Sequence, residues 1–343
     1  MKSIMEQEIA EQPSLFKKIV DEYIKDGEVL IDFPTEFKKI RFIASGSSYN
    51  CAGLAEKFFK NMAGYDATCE FASEFIASKK NKIDKDALYF FISQSGRTVD
   101  TLAVLEEVKK AGAKTFALVN VEDSKMFEEA DYKLAVGAGV ENAIAATKSF
   151  TACILFCWLL AVKASGNSKE YTKYVNEEIE EVIEKAINNT DAIVECAGFL
   201  ATQRNFPIVG YDYYYAIAKE GALKTKETSF IDANAYALGE FIHGHVALLN
   251  EENAVIEIFG EDLGAFEVKN LNKIKDKYSP KRVTITDFES DLNGDYSIII
   301  PKCKNEITKY LAIVVTLQVL AFNIAKKLNR NIDNPNGLSK VVE

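Results

Sequence analysis

The sequence predicts an α/β protein made of two similar units, each a doubly wound parallel sheet flanked by helices. Short apolar segments typical of buried parallel strands alternate with amphipathic helical segments. The same order of segments returns after an offset of roughly 165 residues, which indicates an internal repeat. A chain of 343 residues with a hydrophobic fraction of 48% is long and apolar enough for two domains.

The repeat and its flanking segments predict five regions along the chain. They are an N-terminal helical arm, a first α/β domain, a helical linker, a second α/β domain and a C-terminal tail, with predicted bounds 1–35, 36–167, 168–200, 201–330 and 331–343. Pro13 interrupts the amphipathic pattern of the arm. The tail contains Pro335 and Gly337 and lacks a periodic apolar face, so we expect a loop there.

In the first domain, apolar segments of strand length are followed by helical patterns. The predicted strands are Lys39–Ala44, Thr68–Phe71, Leu88–Ile92, Thr115–Asn120 and Tyr132–Ala135. The predicted helices are Tyr49–Ala63, Asp100–Ala111 and Phe150–Val162. The last helix is uniformly apolar but too short to span a bilayer, so we predict that it is buried.

The second domain repeats this order with less distinct segments. Its predicted strands are Phe206–Gly210, Val255–Phe259, Arg282–Thr286 and Tyr296–Ile300, and its predicted helices are 216–229 and Ile307–Leu328. The segment Tyr236–Phe241 matches Glu70–Phe75 of the first domain.

Composition argues against several functional classes. A net charge of −10 does not favour binding to nucleic acid or to an anionic membrane. The acidic N-terminus lacks the apolar stretch of a signal peptide, and the six cysteines are scattered, which fits a reduced cytoplasmic protein. Cys153 and Cys157 are four residues apart in an apolar segment, where core packing is the expected role. No P-loop or dinucleotide fingerprint is present, and no metal or cofactor is expected.

A loop rich in hydroxyl groups follows the most apolar strand. Ser93-Gln-Ser-Gly-Arg-Thr98 joins that strand to a helix, so its hydroxyl and N–H groups can converge on a phosphate, and Gly96 permits close approach of the backbone. The earlier turn Ser45-Gly-Ser-Ser48 has the same position after the first strand but is a weaker signal, and taken alone it favours a plain strand-to-helix loop.

A second cluster of chemistry lies in the second domain. In a helix over 216–229, Glu220, Lys224 and Glu227 would share one face. The two histidines of the chain, His243 and His245, follow in a segment flanked by glycines. Carboxylate, amine and imidazole together suit proton transfer. A solvated helix face with ion pairs is the alternative, but the small residues beside the three charged ones indicate a helix with something packed closely on it.

Taken together, the motifs resemble the tandem sugar-isomerase (SIS) domain family, and within it the isomerase half of glutamine–fructose-6-phosphate aminotransferases. The resemblance covers nearly the whole chain and rests on the segments 93–101, 147–151, 220–227, 239–244 and 333–343. It implies that each unit is a flavodoxin-like sheet of five parallel strands and that the chain forms a homodimer. It also implies a phosphorylated sugar as ligand.

The resemblance assigns roles residue by residue. It implies a phosphate site at Ser47, Ser93, Gln94, Ser95 and Thr98. Glu227 matches the general base of the family, with Lys224 nearby. His243 matches a ring-opening histidine supplied by the partner subunit, and Lys340 matches a lysine that forms an imine with the open-chain ketose. His245 is the local competitor of His243.

Three departures bear on the substrate. Lys2 follows Met1 and no glutaminase domain is present, so we expect no ammonia from glutamine on this chain. Arg97 stands where the aminotransferases have an acidic residue, and His245 stands where they have proline. The expected activity is isomerisation of a sugar or amino-sugar 6-phosphate, coupled to deamination or deglycation. The alternative is a non-catalytic regulator that binds a sugar phosphate, and the short acidic arm argues against it because it cannot hold a DNA-binding domain.

Overall fold

The computed structural model describes residues 2–78 and 82–340. Met1 of the predicted arm and residues 341–343 of the predicted tail lie outside them. The chain divides into two compact units. The first unit contains residues 15–141, 148–176 and the tail from residue 339. The second contains the chain up to residue 14, residues 142–147 and residues 177–338.

Helices and strands alternate through most of the described chain. The strands are β1 Ile24–Lys25, β2 Glu28–Val29, β3 Lys39–Ala44, β4 Asp66–Phe71, β5 Leu88–Ser93, β6 Lys114–Val119, β7 Tyr132–Ala135, β8 Asn205–Gly210, β9 Asp232–Ala237, β10 Ala254–Ile258, β11 Lys281–Thr286 and β12 Tyr296–Ile299. The helices are α1 Ile4–Ala10, α2 Gln12–Tyr23, α3 Gly46–Ala63, α4 Ala72–Ala77, α5 Val99–Ala111, α6 Lys125–Glu129, α7 Lys148–Ser165, α8 Ser168–Tyr171, α9 Val175–Ile187, α10 Thr190–Leu200, α11 Asp212–Ser229, α12 Leu238–Phe241, α13 Ala265–Lys273 and α14 Glu306–Lys327. A 3-10 turn at His245–Leu248 and a π-helical turn at Ile274–Tyr278 complete the helical segments of the described residues.

The first unit is built on a parallel sheet in the order β4-β3-β5-β6-β7. Every residue of the central strand β5 is buried, as expected for a parallel strand covered on both faces. Helix α5 covers one face through Val104, Leu105 and Val108, which pack against strand residues such as Phe91. Helix α7 packs against α3, and its residues 148–162 are buried without a break.

The second unit is built on a parallel sheet in the order β12-β11-β10-β8-β9. When the strands of each five-stranded sheet are numbered in chain order, both sheets have the strand order 2-1-3-4-5. Helices α11 and α14 pack closely, because a Cβ at Gly221 would lie 3.0 Å from the side chain of Leu317. The buried Glu257 of β10 is paired with the Arg282 guanidinium of β11.

The prediction of two α/β units with parallel sheets is confirmed. Each predicted strand is present, with its ends within two residues of the prediction. Strand β9 escaped prediction because Asp232-Ala-Asn-Ala-Tyr-Ala237 is polar and rich in alanine. The predicted turn Ser45–Ser48 is wrong beyond Ser45, because α3 begins at Gly46 and Ser47 lies in its first turn.

Two helices of the described residues are long and apolar enough to cross a membrane by length and composition, α7 and α14. Helix α7 is longer than the predicted segment Phe150–Val162. However, 83% and 89% of the two apolar windows are buried inside the protein. Both therefore fit the role of core helices, and Cys153 and Cys157 are buried in α7 as expected.

Candidate active site

The hydroxyl loop, residues 93–98 of the first unit, is stabilised by hydrogen bonds between its serine hydroxyls and its own backbone. Ser93 Oγ accepts a hydrogen bond from the N–H of Gly96 at 3.0 Å, and Ser95 Oγ accepts one from the N–H of Arg97 at 3.2 Å. Both serines are buried, while Gln94 and Thr98 are half-buried. Thr98 is the N-cap residue of α5 and makes no side-chain capping hydrogen bond, and the start of a helix favours anions.

Gly96 permits the tight path of this loop. Its φ is +63°, a conformation that residues with a Cβ rarely adopt. A Cβ at this position would also meet the side chain of Ser124, with its Cβ only 2.7 Å away. Substitution of Gly96 would therefore displace the loop.

A second polar turn lies beside the hydroxyl loop. Strands β3 and β5 are neighbours and parallel, with Ile43 opposite Phe91, so their carboxyl ends meet at one edge of the sheet. The Oγ of Ser45 donates to Asp100 Oδ2 at 2.7 Å and so ties the turn after β3 to the start of α5. In the strand order 2-1-3-4-5 this is the point where successive connections leave in opposite directions, the usual position of a ligand in open α/β sheets.

The predicted phosphate residues are therefore together at one edge. Ser47 lies in the first turn of α3, and the other four belong to the hydroxyl loop. Arg97, the departure in this loop, is exposed and its guanidinium donates to the backbone carbonyl of Asp123 at 2.6 Å. Hydroxyl groups, two helix starts and a nearby cation make this edge suitable for an anion.

The same edge continues to an ion pair that the sequence did not reveal. Asn120 donates its backbone N–H to Gln94 O at 3.3 Å, and its side chain holds the backbone of Ala138 and Gly139 at 2.8 Å. Two residues further on, Glu141 Oε2 accepts from Lys340 Nζ at 2.7 Å. Asn120 was detectable as a polar residue at the end of an apolar strand. Glu141 was not, because its partner is 199 residues away in sequence.

The carboxylate–lysine cluster, Glu220, Lys224 and Glu227, lies on α11 in the second unit. Lys224 Nζ is 3.4 Å from Glu220 Oε1 and forms an ion pair with Glu227 Oε2. The side chains of Lys224 and Glu220 are 1% and 2% exposed, whereas that of Glu227 is 20% exposed. The alternative of a solvated helix face is therefore wrong, and its physical reason is the close packing of α14 on this helix.

The charge of this cluster follows from its surroundings. Burial alone would lower the pKa of Lys224, but the carboxylates of Glu227 and Glu220 raise it above its ordinary value. Lys224 is therefore an ammonium at neutral pH and holds a positive charge beside Glu227. Glu227 is the member of the cluster that a ligand can reach.

The two histidines differ in their surroundings. Both are exposed and follow α12, where the backbone N–H of His243 donates to Glu240 O at 2.9 Å. The His245 ring packs on the Tyr236 ring with centroids 4.5 Å apart. His245 thus packs against an aromatic neighbour.

The second unit has no hydroxyl loop at its own switch point, where β8 and β10 end. Asp262 Oδ1 accepts hydrogen bonds there from the hydroxyls of Tyr211 and Tyr214, at 3.2 and 3.0 Å. Burial and the nearby carboxylate raise the pKa of both tyrosines, so they remain protonated donors. A carboxylate and two bulky rings disfavour a phosphate at this position.

Fold and switch-point loops together define an α/β protein whose candidate ligand site is the carboxyl edge of the first sheet. Residues 35–163 match the model of the SIS domain. It is 33% identical over 346 residues to a glutamine–fructose-6-phosphate aminotransferase of Aquifex aeolicus, and 32% identical over 354 residues to one of Staphylococcus aureus. The alignments cover 99% and 98% of this chain but 58% of each relative, so the chain spans little more than half their length.

Two solved structures superimpose on nearly the whole chain. The C-terminal domain of a glucosamine-fructose-6-phosphate aminotransferase from Francisella tularensis superimposes with a TM-score of 0.89 at 27% identity, covering 98% of this chain and 99% of that one. A glucosamine-6-phosphate deaminase from Thermotoga maritima superimposes with a TM-score of 0.80 at 22% identity, covering 99% of both chains. The second likeness concerns the fold alone.

Proposed function

We propose that this protein is an isomerase-type enzyme acting on a sugar or amino-sugar 6-phosphate. The observation that carries the proposal is the ion pair of Glu227 with Lys224. Glu227 is a half-buried carboxylate that a ligand can contact, and its partner is a fully buried ammonium. Such a carboxylate can take a proton from one carbon of an open-chain sugar and return it to the next. The match to aminotransferase relatives over nearly the whole chain supports the same reaction type.

Each site residue then has a part. Ser47, Ser93, Gln94, Ser95 and Thr98 bind the phosphate through hydroxyl and N–H donors, as the geometry of the loop supports. Lys224 holds Glu227 in position through their ion pair. Glu227 moves a proton between carbons 1 and 2 of the sugar.

Two further groups act on the sugar ring and carbonyl. His243 serves as the acid that opens the ring, since an imidazole can exchange a proton near neutral pH. Lys340 forms an imine with the carbonyl of the open-chain ketose, which acidifies the neighbouring C–H bond. In the proposed homodimer His243 acts in the site of the partner subunit. We also propose that the protein is cytoplasmic and that each unit is flavodoxin-like. The strand order 2-1-3-4-5 supports the second of these proposals.

The proton shift is common to isomerisation, deamination and deglycation, so products decide among them. The purified protein should be incubated with fructose 6-phosphate plus ammonium, with glucosamine 6-phosphate and with a fructosamine 6-phosphate, and products followed by mass spectrometry. We expect turnover of at least one substrate, and its loss in Glu227→Gln. Tight binding of a phosphosugar by calorimetry without any turnover would favour the non-catalytic regulator instead.

A further inference from the structure

The ion pair of Glu141 and Lys340 joins a buried carboxylate to the C-terminal tail within the first unit. The Glu141 side chain is 0% exposed and that of Lys340 is 24% exposed. A buried carboxylate without a partner would destabilise the fold, so Lys340 of the tail supplies the positive charge that this unit needs. The amine stays reachable on its open side.

Glu141 is held in place by contacts that do not involve the tail. Its Oε1 accepts from the backbone N–H of Ser149 at 3.0 Å, and its Oε2 accepts from the Ser149 hydroxyl at 2.6 Å. Ser149 lies in the first turn of α7, where a negative charge is favourable. Burial alone would raise the pKa of Glu141, but Lys340 and Ser149 hold it below its ordinary value. Ser149 therefore holds the carboxylate independently of the tail, and Lys340 supplies the positive charge that it faces.

The position of this ion pair matters for the ligand. Asn120 connects the hydroxyl loop to the segment that ends in Glu141, through Gln94 on one side and Gly139 on the other. The ion pair and the hydroxyl loop thus belong to one continuous edge of the first sheet. A sugar phosphate bound at this edge meets an amine whose place is already determined.

We infer that Glu141 is the positioning residue of Lys340: it holds the tail amine at the carboxyl edge of the first sheet, ready to attack the carbonyl of the bound sugar. This inference rests on the proposed function, because it assumes that Lys340 forms an imine. The chemistry suits a fixed carboxylate. Lysine ammonium and ketone give a protonated imine and water, so one positive charge faces Glu141 before and after the step.

The test uses the full chain and traps the imine. Protein and fructose 6-phosphate are treated with borohydride, which reduces the imine to a stable amine, and the adduct on Lys340 is measured by mass spectrometry. Glu141→Gln keeps the shape and removes the charge. Glu181→Gln is the matched control, since it removes an exposed ion pair with Lys185 on α9.

We expect Glu141→Gln to slow trapping about 10- to 100-fold, because misplacement of a reacting group reduces rates by this order. Turnover at saturating sugar should fall in proportion while KM for the phosphosugar changes little, since the hydroxyl loop is intact. If Glu141 had a purely structural role, its replacement would not lower kcat while leaving KM almost unchanged. Glu181→Gln should trap at the wild-type rate.

Three results overturn the inference. One is trapping by Glu141→Gln at the wild-type rate. Another is absence of any Lys340 adduct in the wild type while hydrogen exchange at carbons 1 and 2 continues; this removes the positioning role and leaves Glu227 chemistry in place. Loss of both signals in the wild type overturns the proposed function as well. If Glu141→Gln fails to fold, Ser149→Ala loosens the same carboxylate, and an unchanged trapping rate there has the same consequence.

Discussion

Lys224 is enclosed by charge and packing to a degree that its sequence does not reveal. Its side chain is 1% exposed between two carboxylates of its own helix. Glu220 cannot turn to solvent easily, because α14 packs on the same helix, whereas Glu227 is partly exposed. The ammonium is thus the counter-charge of two buried or half-buried acids.

We predict that Lys224→Met destabilises the protein by about 3–5 kcal/mol, since removing one partner leaves uncompensated buried charge. The change should appear as a lower midpoint in denaturant unfolding, measured near neutral pH. Lys226→Met is the control, because Lys226 is exposed on the same helix and bonds to Asn234. It should cost less than about 1 kcal/mol. Equal losses in the two variants would contradict the account.

Acid should reveal the charge on Glu141. Its folded pKa lies below the ordinary glutamate value of 4.5, so its charge stabilises the fold above about pH 4.5, and this contribution is lost as the pH falls through the folded pKa. We therefore predict that wild type exceeds Glu141→Gln in unfolding free energy by about 1–3 kcal/mol at neutral pH. The difference should shrink on acidification below pH 4.5. A difference that stays constant down to pH 3 would show that the carboxylate is not the cause.

At the scale of elements, the connection between β5 and α5 is shaped by the elements on both sides of it. A fully buried strand delivers Ser93 to the edge, and a helix start receives Thr98. Between them the backbone turns through Gly96, whose missing Cβ leaves room for Ser124. The loop therefore depends on packing against the next connection as well as on its own hydroxyl groups.

Gly96 and Gly137 offer a matched pair for this point. Both have φ of +63°, but a Cβ at Gly137 would have nothing within 4 Å. We predict a loss of about 1–2 kcal/mol for Gly137→Ala from backbone strain alone. Gly96→Ala should lose about 1–3 kcal/mol more and bind phosphosugars weakly, because the added methyl collides with Ser124. Calorimetry and denaturant unfolding measure both effects.

The double variant Gly96→Ala/Ser124→Gly completes this comparison. It removes the colliding side chain, so part of the lost stability and binding should return. If the two single alanine variants lose the same stability, the close approach to Ser124 is unimportant.

Elements with a strong apolar pattern were predictable, and elements shaped by packing were not. Strand β5 and helix α7 are apparent from hydrophobicity alone, because burial on all sides demands it. Strand β9 is half-buried at the edge of its sheet and carries polar residues, so its pairing with β8 decides its conformation. Helix α3 begins earlier than predicted because its small polar first turn has no helical signature of its own.

In the whole molecule, two sheets with the same strand order carry different groups at their switch points. The first has hydroxyls and N–H donors, and the second has Asp262 with two tyrosines. Local motifs indicated this division, since the second copy lacks the Ser-Gln-Ser-Gly sequence. The pairing of Lys340 with Glu141 could not be predicted, because it depends on the tertiary path of the tail.

The proposed homodimer makes a further prediction about His243. Glu227→Gln and His243→Ala should each be nearly inactive. If His243 acts in the site of the partner subunit, unfolding and refolding the two variants together should restore activity, because one site of each mixed dimer regains both groups. A mixture that stays inactive would mean that each subunit supplies its own histidine. Activity in His243→Ala that disappears on adding His245→Ala would assign the role to His245.

The central claim is that Glu227 moves a proton between carbons 1 and 2 of a phosphosugar. Hydrogen exchange with solvent tests it without knowledge of the final product. In D2O, with fructose 6-phosphate or glucosamine 6-phosphate, NMR should show deuterium entering at carbon 1 or 2 with the wild type and with the exposed-site control Glu251→Gln. With Glu227→Gln, deuterium should enter the sugar about 10²- to 10⁴-fold more slowly, because this is the usual contribution of a general base to the rate. Exchange by Glu227→Gln at the wild-type rate would contradict the account.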